Sequence, residues 1–458
     1  MYRRPGLGDQ PDWLTRFISS LKSDRAIFRA VVLTAYAHVF HLIERGVLPK
    51  EASSLLQRLR EALDREEEIL SERYEDVHEA LEAWLLEREG KIAGWLAYGK
   101  SRNDQVATAL RLALRWRLIG LLWEMNRLRR SLLDSAEKHL LVKIPAFTHM
   151  QPAQPTLASH YLLYLENEIF HHYRAIWNVL REIVDLCPLG SGPSAGSSVP
   201  LDRGRLAELL GFSGVESNTI SATGSRTFAT LSVGIVASLM ATLSRVAEDL
   251  IVWSTPQFSL VEIPEEHAST SSIMPQKRNP VTLELIRAKA GTIIGSLVSL
   301  LTVVKGIPSG YDLDLQEANP HILKPVEEAS ESVRVMADLM RRIRFREVII
   351  PSTLAQDVAE RLVRERGITY REAHSILASA LRESEWDLLQ ACERLGIDTP
   401  RVDEILNSRG RGAPNPDLVR RELLSRRKLL RDDVDDLTSY EEEKIRAERD
   451  LLSSDPLA

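Results

Sequence analysis

Residues 101–141 carry apolar positions at three- and four-residue spacing, with no proline and a single glycine, Gly120. Continued as one helix, this stretch would be about 60 Å long, several times the globular mean of about 11–12 residues. Such a helix cannot bury its apolar face against short elements and needs partners of matching length. Three further segments offer them: 157–186 after Pro155, 227–254 before Pro256, and 281–304 between Asn279-Pro280 and Gly306. Only 6% of residues are aromatic, and Gly and Pro number 23 and 21 among 458. The expected fold is all-α around a central long-helix bundle, one that buries further surface between subunits.

Shorter helical patterns flank the bundle. Residues 25–44, 49–70 and 76–88 precede a glycine-bearing break, GKIAGWLAYGK, and beyond Pro351 highly charged short helices resume, among them 369–384 and 417–430. The division expected is an N-terminal helical domain (1–99), a central bundle domain (100–350) and a small C-terminal helical domain (351–458). Residues 145–155, 188–200, 256–280 and 306–320 show loop signals and no period.

The net charge of −6 gives no general attraction to nucleic acids or anionic membranes. Residues 227–244 are uncharged but interrupted by Thr and Ser, and residues 290–304 are uncharged for fewer positions than the roughly 20 that a membrane span needs. Both read as bundle helices. Cys187 and Cys392 lie far apart without metal spacing, which points to a reducing, cytoplasmic setting. The opening MYRRPGLGDQPDW has cations but no apolar stretch, so no signal peptide is expected.

Loops in a bundle need only polar and turn residues, so loops dense in hydroxyl, imidazole and amide groups are where chemistry would sit. HASTSSIMPQKRNP (267–280) sets Ser271 and Ser272 before Lys277 and Asn279. The hydroxyls alone fit a flexible hinge; the cations and amide make an anion site an equal reading. Lys is scarce beside Arg in this chain, so Lys277 suggests a compact ammonium is wanted there. SRNDQ (101–105) opens the long helix: Ser101 and Asp104 fit a capping box, and Arg102 and Asn103 add donors where the helix dipole already favours an anion. Cap and carboxylate site are compatible. THMQPAQP (148–155) places Thr148, His149 and Gln151 between prolines, a setting for an acid/base or ligand role; no residues at zinc spacing accompany His149. PLGSGPSAG (188–196) lacks the features of a phosphate loop and reads as a tight turn. GIPSGYDLDLQE (306–317) offers Tyr311 and Gln316, and YEDVHE (74–79) puts Asp76 and His78 at a helix start.

In this order SRNDQVAT, THMQPAQP, PLGSG and SSIMPQKRNP followed by LELIR resemble the argininosuccinate lyase family of the fumarase/aspartase superfamily. The likeness runs from about Phe17 into VAERLVRERGITYREAH. It implies three helical domains, a homotetramer whose core is the long helices, active sites shared among three subunits, and no cofactor or metal. The implied substrate is argininosuccinate, cleaved reversibly to arginine and fumarate at the end of arginine synthesis. By resemblance Ser271 is the general base, and Ser272, Lys277 and Asn279 hold the fumarate carboxylates. His149 is the acid-side residue or its relay, oriented by Glu284. Ser20, Asn103 and Thr148 match substrate contacts, Tyr311 and Gln316 match the arginine end, and Asp76 and His78 match a pair near the cleft.

The pattern departs from the family at several points. Thr270 stands for a glycine, Lys100 for an arginine, Ala97 for a histidine and Asn319 for a lysine. Ser225-Arg226-Thr227 replaces Asp-Arg-Asp, and an N-terminal Trp-Gly-Gly segment is absent. Asn319 is the main argument for a rival substrate, adenylosuccinate or a modified argininosuccinate. A non-catalytic structural relative is a further alternative, opposed by Ser271, Lys277, Asn279, His149 and Glu284 standing together.

Overall fold

The computed structural model describes residues 11–71 and 73–457. Most of the cationic opening segment, and with it the expectation about a signal peptide, lies outside the described residues. The N-terminal part brings helices α1 (Phe28–Glu44), α2 (Ser53–Ala62) and α3 (Val77–Glu89) together. α1 is apolar nearly all round and buried from Ala30 to Ile43.

The long pattern is a single helix, α4 (Arg102–Lys138), of 37 residues, or about 55 Å. It starts where the sequence signals a start: the Asn103 N–H donates to Ser101 Oγ at 3.3 Å, and the Ser101 N–H donates to Asp104 Oδ1 at 3.0 Å. α5 (Ala158–Val179) runs antiparallel to it, with Arg129 of α4 bonded to Glu166 at 2.8 Å, and closes in a π-turn, Leu180–Val184. α6 (Thr227–Trp253) and α7 (Val281–Val304) form an antiparallel pair, since Arg287 near the start of α7 meets Glu248 near the end of α6. The segment 290–304 is therefore part of a 24-residue helix. By length and composition alone Leu21–Glu44, Thr227–Trp253 and Val281–Val304 could each cross a membrane. The first is 89% buried within the fold, the last only 22%, and Leu285, Val298 and Leu301 of α7 are exposed.

Two long helices went unseen in the periodicity. α8 (Pro320–Arg342) starts inside what reads as loop and lies parallel along α4, its Glu327 paired with Arg117. Pro320 takes the first helical position, where its missing N–H costs nothing. The other, expected as a short helix over 417–430, is α12 (Pro416–Ser453), 38 residues long and antiparallel to α4, with Arg427 on Asp134 and Glu441 on Trp123. Its buried stripe includes Asp433 and Lys444, so charge at core positions hid the period. Between them α9 (Ala355–Arg366), α10 (Tyr370–Glu383) and α11 (Leu388–Leu395) enclose a separate apolar cluster from Leu354 to Ile405, whereas the buried residues of α12 belong to the main core.

Residues 145–155, expected without regular structure, lie in an antiparallel hairpin, β1 (Lys143–Thr148) with β2 (Gln151–Leu157). Thr148 faces Gln151, leaving His149 and Met150 as the two turn residues, both left-handed with φ 53° and 61°. That backbone is the one a tight two-residue hairpin demands, and it is usually given to Asn or Gly.

Candidate active site

The bundle puts its chemistry-bearing loops at two poles. One pole lies where α4 begins, the other where it ends, about 55 Å away.

At the first pole Asp76 caps α3 by accepting the Glu79 N–H at 2.8 Å, and its carboxylate pairs with Arg102. Ser20 donates its hydroxyl to Asp24 Oδ2 at 2.6 Å, and the Val77 N–H reaches the same oxygen at 3.4 Å. Burial, with Asp76 adding like charge, pushes the Asp24 carboxyl up to about 7. Tyr311 stands in the field of Arg226, Asp76 and Asp24, and burial raises its phenol. Gln316 donates to the Ile18 carbonyl at 3.2 Å. His78, Ser101 and Arg102 line a cleft of about 230 Å³ together with Glu82, Lys100 and Gln105. Burial pushes the Lys100 ammonium down to about 8. Ser20, Asp76, His78, Ser101, Arg102, Asn103, Tyr311 and Gln316 thus gather from four chain segments at one pole.

Sequence reasoning gave no role to two residues here. Asp24 is one, signalled only by its four-residue spacing from Ser20. The other is Arg226, nearly fully buried, whose Nη1 donates to the Thr223 and Ser225 carbonyls at 3.1 and 3.2 Å. Its Nε and Nη2 have no partner among the described residues, nor does Oδ1 of the buried Asn319. Burial pushes the Arg226 guanidinium down to about 10.

At the second pole the hairpin tip exposes Thr148, His149 and Gln151, its base held by Phe147 packing on Trp253 and Phe258. The serine loop springs from β3 (Ser269–Thr270) paired with β4 (Arg278–Asn279). Its root is pinned by His267, whose ring nitrogens lie 3.2 Å from Asp338 Oδ2 and 3.2 Å from Thr282 Oγ1. Within the loop the Ile273 N–H donates to Ser271 Oγ at 3.4 Å, while Ser272 and Lys277 face solvent. Thr270 belongs to the strand pairing. Glu284 lies exposed on the first turn of α7.

Among the described residues no hydrogen bond or ion pair joins His149 to Ser271, Lys277 or Glu284 within one chain. Nor does any residue of the second pole reach the first. The arrangement sets Lys100 and Arg102 beside Asp76 and Glu82 at one pole, and a hydroxyl loop and an imidazole at the other.

A family model described as "Lyase" matches residues 13–295. The argininosuccinate lyase of Sulfolobus acidocaldarius is 38% identical, over 97% of this chain and 96% of its own length. That of Methanosarcina acetivorans is 40% identical over 89% of this chain and 84% of its own. Among solved structures, an EDDS lyase in complex with formate superposes with a TM-score of 0.83 at 25% identity, covering 97% of this chain and 95% of that one. The class II fumarase of Schistosoma mansoni shares the fold at TM-score 0.70 and 16% identity, over 82% and 88% of the two chains. The fold is that of the fumarase/aspartase lyases, and the chain belongs to the argininosuccinate lyase family.

Proposed function

We propose that this chain cleaves argininosuccinate reversibly into arginine and fumarate, in sites assembled from the two poles of different subunits of a cytoplasmic homotetramer. The near-full-length likeness to argininosuccinate lyases carries the reading. The polar separation supports sharing, because a substrate far shorter than α4 cannot touch both poles of one chain.

The elimination removes a C–H proton beside a carboxylate, giving an aci-carboxylate dianion, and the C–N bond then breaks. Positioned acids and bases contribute about 10²–10⁴ each, against 10⁶ or more for enzymes generally, so most of the barrier falls to donors fixed around the developing charge. Ser271 takes the proton. A serine hydroxyl is a feeble acid, and two features favour its oxyanion: the Ile273 N–H directed at Oγ and the cation of Lys277 in the same loop. Ser272, Lys277 and Asn279 hold the fumarate carboxylates, while His149, oriented by Glu284 of a neighbouring subunit, delivers the proton to the leaving nitrogen. At the first pole Arg102 and Asn103 at the start of α4, with Ser20, Thr148 brought from elsewhere, Tyr311 and Gln316, bind the rest of the substrate. The proposed elimination moves a proton from carbon to nitrogen and breaks the C–N bond with no net redox change, and it calls for no cofactor.

Asn319 favours a second reading. With an amide carbonyl where a cation would meet an α-carboxylate, the preferred substrate is a succinyl adduct of another amine. The rise in ultraviolet absorbance from fumarate, followed with argininosuccinate, adenylosuccinate and aspartate, separates the two. Turnover of argininosuccinate that persists in Ser271→Ala would refute the assigned base.

A further inference from the structure

We propose that Asp104 is a positioning residue that joins the two halves of the first-pole substrate pocket, the Arg102-Asn103 start of α4 and the Tyr311 loop. The inference rests on the function proposed above and adds a residue to it. As a helix cap, Asp104 would need one bond, to the Ser101 N–H. It makes three. Oδ1 takes the Ser101 N–H at 3.0 Å, and Oδ2 takes the N–H groups of Gly190 and Gly192 at 3.0 and 2.9 Å. The carboxylate is fully buried, and its donors come from two chain segments that are distant in sequence.

The PLGSG turn is shaped for this. Gly190 and Gly192 adopt φ of +85° and +58°, which turns their N–H groups inward. A Cβ on Gly192 would lie 2.3 Å from the Gly196 carbonyl oxygen, so the loop has one way to close. Its continuation leads to Tyr311. The Ser194 carbonyl accepts the Thr219 hydroxyl at 2.7 Å, and its Oγ lies 2.8 Å from Thr223 Oγ1. The short helix so held (Thr219–Gly224) presses Gly224 on the backbone of Gly310, where an added Cβ would come within 2.1 Å of the carbonyl oxygen. Gly310 precedes Tyr311. One carboxylate therefore sets where the Arg102-Asn103 start of α4 stands relative to the Tyr311 phenol.

Asp104→Asn tests this, because one amide oxygen cannot serve both segments and, whichever way the amide turns, its NH₂ faces an N–H donor. The expected result is a rise in KM for argininosuccinate on the order of tenfold or more, with a smaller change in kcat. Hydrogen exchange should quicken in peptides covering both 188–196 and 308–314. KM within twofold of wild type, or faster exchange confined to 188–196, would overturn the proposal. Gly192→Ala strains the same clasp from the loop side and decides the matter where Asp104→Asn does not fold. The double variant should then be no worse than the poorer single one, and additive losses would count against a shared path. The exchange measurement does not depend on turnover, so it distinguishes failure of the clasp from failure of the proposed substrate, which wild-type turnover reads directly.

Discussion

Mixing two inactive variants tests the sharing of sites between subunits. Ser271→Ala removes the proposed base at the second pole; Asn103→Ala removes an amide donor at the first. The two positions are separated by α4, 37 residues long and so about 55 Å, which means a site using both must draw them from different chains. Each alone should be nearly inactive in the fumarate assay. When they are co-expressed in equal amounts and assemble at random, a site is intact when one contributing subunit has a wild-type second pole and another has a wild-type first pole. Each condition holds with a probability of one half, so about a quarter of the sites, and about a quarter of wild-type activity, should return. Mixing the purified oligomers without dissociation should restore none, which controls for contaminating wild type. If random hybrids stay as inactive as their parents, the two poles do not share a site, and the mechanism proposed above fails with that result.

The buried Asp24 carboxyl, moved from 3.8 to about 7, is costly to ionise in the fold, so its contribution to stability falls as pH rises from about 4 to 7, by at most about 4 kcal/mol. Asp24→Asn should melt with wild type near pH 4 and be more stable by about 1–3 kcal/mol at pH 8, an ordering that thermal melts at the two pH values would check. Lys444 and Asp185, both fully buried with Nζ 2.9 Å from Oδ2, tie α12 to the bundle; Lys444→Met should cost about 3 kcal/mol by leaving the carboxylate only partly compensated, as read from melting. Introducing Val298→Asp with Leu301→Asp on the exposed stripe of α7 should shift the elution volume to a smaller species while leaving the helical circular dichroism signal intact, and an unchanged volume would place the subunit interface elsewhere.

The central helix was legible because nothing in residues 102–138 contradicts it: the cap is local, the period is clean, and proline is absent. α12 was hidden because Asp433 and Lys444 occupy buried positions, and their partners, Arg129 and Asp185, lie hundreds of residues away in sequence. A period count scores those positions as surface. The hairpin at 143–157 was hidden for a different reason. Pro145, Pro152 and Pro155 argue against a strand, yet a two-stranded ribbon leaves each strand an unpaired side where a missing N–H does no harm. The motif residues could be named because loops that serve only as connections do not need clustered imidazole, amide and hydroxyl groups. Asp24 could not, since one carboxylate four residues from a serine is commonplace until the fold buries it; Arg226 is visible as the centre of the altered Asp-Arg-Asp motif, but only the fold shows it buried with unpartnered nitrogens.

The geometry also bears on how subunits must meet. A long-helix bundle has loops only at its ends, so every constellation carried on loops is confined to one pole or the other, and no motion within a chain brings residues 55 Å apart together. If both poles serve one reaction, neighbouring bundles have to pack side by side with opposite poles level, which is the antiparallel arrangement. The helix needed for that contact must be apolar along most of its length and must not be consumed by its own subunit. α7 meets both conditions. Leu285 near its start and Val298 and Leu301 near its end are exposed, although α6 and α8 already cover its opposite side. Dilution should then abolish activity together with association, before any loss of helix, because a lone bundle retains its fold but never holds a complete site.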